Sequence, residues 1–229
     1  MKFDPYHYML FFHILLFVVW LGVDLGVFTL GQYFRKRELP METRLTVLRI
    51  LVICDMLPRS AWALMVPTTL SLLALGGYWA WQDGGAIPTP MVFASWVVGG
   101  FWLWLVWSAF LNDQTPKAAK LRKVEFWLKV VLTAFYLWLG LQSLALDYPL
   151  APNWLASKGL IFGVIFAFAI MIDVAFKPLG PALGELIEQG STTEREDRVL
   201  KIMNNTRVWV VSLYFLLFVT GFLGTTKPF

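Results

Sequence analysis

Six apolar runs of about twenty residues or more occupy most of this chain and leave it few ways to fold. In hydrocarbon a backbone must satisfy its own polar groups, so each run is expected to cross the bilayer as a helix. The runs cover residues 8–33, 46–77, 91–111, 124–146, 154–176 and 199–224. The expected fold is all-α, a polytopic membrane helical bundle of six transmembrane helices forming one domain over residues 1–229. Composition agrees: 58% of residues are hydrophobic and 15% charged, where soluble domains carry about a quarter charged. A single cysteine, Cys54, excludes an internal disulfide framework and any multi-cysteine metal site.

The loops alternate in charge. Arg35, Lys36, Arg37, Arg44 and Arg49 follow the first run, Lys117, Lys120, Arg122 and Lys123 the third, and Lys177, Arg195, Arg198 and Lys201 flank the start of the sixth. The other two loops hold Asp83 and Asp147 and no Lys or Arg. Positive charge stays inside, so both termini are expected outside (periplasmic), as in a multi-pass inner-membrane protein. The net charge of +4 thus reports orientation, and no nucleic-acid partner is expected. Trp79, Trp81, Tyr148 and Trp154 fit an outer aromatic belt. Only Lys2 precedes the first run, which is too long for a secretory signal and reads as a retained helix. Residues 178–189 either lie along the inner interface or extend the fifth helix. Gly76-Gly77 and Gly99-Gly100 permit close helix contacts, within one chain or between copies in a homo-oligomer.

Polar residues inside the runs fall into two layers. In the first run His13, Trp20 and Asp24 return to within roughly 20° of one line, since successive residues turn by about 100°. A histidine and a carboxylate on one stripe must face protein or water, and ionisable groups inside a membrane are functional by default. The inner layer holds Asp24 and Asp55 at matching heights, Arg59 one turn further up, Asn205 and Arg207 on the sixth helix, and Asp173 at the end of the fifth. Two readings fit it: a structural network of paired charges, or direct handling of protons or an anionic substrate. Pro58 and Pro67 bend the second helix.

The outer layer holds His13 and Lys158 at similar depth. His7 lies six residues before His13, which points the two about 120° apart, so they cannot share one iron. A heme would need His13 on one face and a non-histidine ligand, Lys158, on the other. Copper is the rival: Met9 lies one turn above His13, and thioether plus imidazole suits that metal, with Met65 or Cys54 as further candidates. Trp96, Trp102, Trp104 and Trp107 either pack and anchor the third helix or line a flat ligand such as a porphyrin or quinone.

The segment HILLFVVWLG (residues 13–22), the helix start WLASK (154–158), RVLKIMNN (198–205) and the closing KPF (227–229) together resemble the HemJ-type protoporphyrinogen IX oxidase family, and more loosely the CopD-type copper-resistance membrane proteins. The resemblance implies a membrane bundle binding heme b, with His13 and Lys158 matching the family's essential His and Lys, and Trp20 beside the cofactor. It also implies oxidation of protoporphyrinogen IX with electrons passing towards quinone. Asp24 and Asp55 would then take up protons, held with an anionic substrate by Arg59 and Arg207. The chain departs from the family pattern in the additional helical pair 91–146 and in lacking a Leu-Pro-Arg segment after the first run. A CopD-like copper transport protein, and a small-molecule transporter or accessory subunit whose polar layers are structural, stay open beside it.

Overall fold

The computed structural model describes residues 4–80 and 85–229. Lys2, Trp81 and Asp83 lie outside the described residues. Among those described, the elements are seven helices: α1 Pro5–Phe34, α2 Met41–Leu75, α3 Thr89–Leu111, α4 Pro116–Leu146, α5 Asn153–Phe176, α6 Leu179–Gln189 and α7 Thr193–Thr226. Six helical segments are long and apolar enough to span a membrane, with α5 and α6 counted as one continuous candidate. The chain is an all-α polytopic bundle.

The helices begin where local chemistry starts a helix. The Asp4 carboxylate accepts the Tyr6 amide at 3.0 Å, with Pro5 at the first helical position. Thr115 caps α4 ahead of Pro116, and Thr192 caps α7 by accepting the Arg195 amide. Most helices start or end a turn or two beyond the apolar run itself; α4 starts at Pro116 rather than 124, and α7 at Thr193 rather than 199. Residues 178–189 are resolved as a separate short helix, α6, whose buried Leu179, Leu183 and Leu186 pack on α7.

Packing follows chain order. Each of α1 to α4 lies against the next, α7 lies against α5, and a sparse contact between α7 and α1 closes the ring. Aromatic side chains fill its middle. Trp62 stacks on Trp20 at 5.6 Å between centroids and meets Trp102 at 4.7 Å and Phe166 at 4.8 Å. Phe162 and Tyr136 complete the plug at 4.8 Å from one another. Trp104, by contrast, faces outward at 53% exposure, so the aromatic residues of α3 divide between core and lipid.

Glycine sets the tightest seam. A Cβ on Gly140 would stand 2.4 Å from the Leu160 backbone nitrogen, and one on Gly163 2.8 Å from that of Leu137, so α4 and α5 touch backbone to backbone. Gly99 packs within the chain against Pro67 of α2, whereas nothing stands within 4 Å of a Cβ on Gly100.

Candidate functional site

The bundle interior has two polar layers separated by the aromatic plug. In the outer one, His13 Nδ1 lies 3.3 Å from Thr68 Oγ1. The Thr68 hydroxyl itself donates to the Leu64 or Met65 carbonyl, at 2.9 and 3.0 Å. A hydroxyl has one proton, so its oxygen is left to accept from His13 Nδ1–H. In the neutral ring Nε2 then carries the free lone pair, the tautomer that a ligating imidazole needs.

Lys158 of α5 shares this layer, and its charge acts electrostatically on His13. Its Nζ rests against Gly224 of α7, where a Cβ would come within 2.7 Å. Among the described residues Lys158 has no hydrogen-bond or ion-pair partner, and no acidic group acts on it. The end of the chain comes down on the same corner, with Lys227 Nζ 5.4 Å from the Trp154 ring centroid and 5.9 Å from that of Tyr78. The WLASK and KPF segments therefore meet in space. Met9 lines a separate cavity of about 260 Å³ with Ser71 and Thr89. Cys54 lies fourteen residues before Thr68 on α2, roughly 21 Å along the helix, too far to join His13 around one metal.

Trp20 is 4% exposed and belongs to the plug that floors this layer. Below it lies the inner layer. Arg59 Nε donates to Asp55 Oδ2 at 2.5 Å, and Asp24 lies within electrostatic reach of both. The structure adds to Asp173 four residues that sequence reasoning did not place in this layer: Glu125, Lys129, Trp102 and Tyr214. Lys129 Nζ bridges Glu125 Oε1 at 3.0 Å and Asp173 Oδ2 at 2.8 Å, and stands 5.3 Å from the Trp62 centroid. Trp102 Nε1 donates to Glu125 Oε1 at 3.3 Å. Tyr214 of α7 donates to the Asp24 backbone carbonyl at 2.9 Å. The layer thus holds four carboxylates (Asp24, Asp55, Glu125, Asp173) against two cations, Arg59 and Lys129. Among the described residues Asp24 has no ion-pair partner of its own.

Two expected members stand apart. Arg207 lies on the basic side beside Arg35, and Asn205 is exposed. A third basic residue, read from sequence as an orientation signal, is structural. Arg44 is 1% exposed; it donates from Nε to the Phe34 carbonyl at 2.9 Å and from Nη1 to Glu196 at 2.8 Å, tying α1, α2 and α7 together. The class these features define is a multi-pass membrane protein with an imidazole–amine pair over a buried, acid-rich charge network. No protein-family model, no curated protein and no solved structure matches the chain.

Proposed function

We propose that this protein is a membrane oxidoreductase whose outer layer would hold one b-type heme through His13 and Lys158, and that it oxidises a porphyrinogen-like or similar lipid-soluble donor with electrons passing towards quinone. The observation that carries the reading is the pairing itself. One imidazole with an available nitrogen and one amine with no counter-charge come from different helices into the same layer. An ammonium without a partner is costly in an apolar bundle; an anion beside it relieves that cost, and so does loss of its proton with the freed lone pair donated to a Lewis acid. The residues present fit the donor set, and Gly224 leaves the amine space that a side chain would fill.

Heme bound there would supply one-electron chemistry, its potential tuned by the residues that hold it and by pocket polarity. The chain's own residues do the rest. Thr68 fixes the His13 ring and its tautomer. The plug of Trp20, Trp62 and Phe162 excludes water between the layers. Asp24, the carboxylate without a cation, is the group best placed to accept a proton, and Tyr214 holds its backbone in position.

A second reading follows from the inner layer alone. Four carboxylates against two cations suit a proton- or cation-coupled transporter. The absorption spectrum of protein purified in mild detergent separates them. A Soret band that is lost in His13→Ala and shifted in Lys158→Ala is expected. Colourless protein carrying stoichiometric copper returns the chain to the copper reading, and protein with neither colour nor metal leaves the transporter.

A further inference from the structure

The seam between α1 and α7 opens on the basic side into a cavity of about 380 Å³, lined by Gln32, Arg35, Lys36, Arg37, Glu38 and Arg207. That is at the small end of the ~300–1,000 Å³ typical of ligand pockets. Its charge is unbalanced, four basic side chains against one acidic, and of the four Arg37 is already paired with Asp197. Among the described residues Arg35 has only neutral partners and its buried Nε has none. Nη1 donates to Gln32 Oε1 at 2.9 Å and Nη2 to Asn204 Oδ1. Burial, and then the adjacent Arg207 charge, hold the Arg35 guanidinium below its ordinary pKa. Lys36 adds a third cation, stacked over the Tyr33 ring at 4.3 Å. Among the described residues neither the Arg35 nor the Arg207 guanidinium is ion-paired, Glu38 of the lining included, so the two repel each other across one cavity until an anion bridges them. A phosphate, with its fork-accepting oxygens, is the anion arginine clamps best.

We propose that this cavity binds the phosphate group of an anionic phospholipid from the leaflet on the basic side, clamped between Arg35 and Arg207. The lipid source follows from the neighbouring surface: Tyr33, Val208 and Val211 present exposed apolar side chains on the two helices that frame the cavity, and acyl chains can lie along them. The site is independent of the heme reading and survives its failure.

The test is native mass spectrometry of the purified protein titrated with dioleoylphosphatidylglycerol, dioleoylphosphatidylcholine or inorganic phosphate. One phosphatidylglycerol should be retained, in preference to phosphatidylcholine, by roughly tenfold or more. Arg35→Gln combined with Arg207→Gln should abolish that preference. Arg122→Gln, which removes a basic residue paired with Asp113 elsewhere on the same side, should leave it intact. Asn204→Asp guards against misfolding as an explanation: it places a carboxylate beside Arg35, so it should expel the lipid while keeping the thermal midpoint. Equal retention of the two lipids, or phosphatidylglycerol binding unchanged in both Asn204→Asp and the double variant, overturns the proposal. Displacement of the lipid by an equal concentration of inorganic phosphate overturns the lipid source and assigns the cavity to a soluble phosphate.

Discussion

Replacing Lys129 by methionine tests whether the inner layer is held by charge. Among the described residues Lys129 Nζ is the only cation within bonding distance of Glu125, and with Asp173 it forms a bridge between α4 and α5. Methionine keeps the apolar stem and the contact with Trp62 but removes the ammonium. Glu125, whose side chain is 7% exposed, is then left with the Trp102 N–H as its one hydrogen-bond donor. Asp173, at 35%, is better solvated and contributes less. Breaking a buried pair from one side costs about 3–5 kcal/mol. At roughly 2–4 °C per kcal/mol for a chain of this size, the thermal midpoint in detergent should fall by about 6–20 °C. Adding Glu125→Gln and Asp173→Asn to Lys129→Met removes the stranded charges, and the triple variant should recover most of the loss, because replacing a whole buried ionic group is often close to neutral. The assay is intrinsic-fluorescence melting of the three proteins side by side: the unaltered protein, the single variant and the triple variant. A fall of under about 2 °C in the single variant, or no recovery in the triple, refutes the charge argument and makes Lys129 a packing residue.

Gly140→Ala should destabilise by about 1–3 kcal/mol, because its Cβ would meet the Leu160 backbone 2.4 Å away, whereas Gly100→Ala, with nothing within 4 Å, should be neutral or stabilising in the same melt. Thr68→Val keeps shape but removes the acceptor for His13 Nδ1–H; heme retention should weaken by about 10–100-fold with the fold intact, read by pigment content per protein. Arg44→Met should cost about as much as Lys129→Met and be largely rescued by Glu196→Gln, measured by the same melting assay. In the α3–α4 loop, the hydrogen bond from Arg122 holds the Asp113 carboxyl below its ordinary value of 3.8. A carboxylate depressed in the folded state contributes stability above that value and loses it as the pH falls through the folded one. Both groups are about half exposed, so Arg122→Ala should change the melting point only slightly, and only above about pH 4.

Much of the scaffold was legible because hydrocarbon leaves one option for a long apolar run. The same constraint exposed His13, Asp24, Asp55 and Arg59, since a charge amid twenty apolar residues has to be turned inward. Glu125 and Lys129 escaped notice for the opposite reason. They sit at the edge of an apolar run, where charged side chains ordinarily reach for water, and only the earlier start of α4 puts them nine and thirteen residues inside a helix. Their i,i+4 spacing was the available signal. Arg207 went astray through depth counted from the apolar run. α7 extends past it on the basic side, so Arg207 lies level with Arg35 rather than with Asp24. Arg44 looked like a loop charge because nothing in its neighbourhood foretells Glu196, 152 positions away.

The order in which the ring closes bears on how the chain is made. Helices α1 to α5 can each settle against a predecessor already in the bilayer, but the joint that closes the ring waits for α7, which is made after them. Until then Asp24 lacks the Tyr214 latch, Lys158 lacks the Gly224 wall, and Arg44 lacks Glu196. A nascent chain stalled before α7 would therefore hold both polar layers open to lipid, and the polar interior is completed only once that helix has docked.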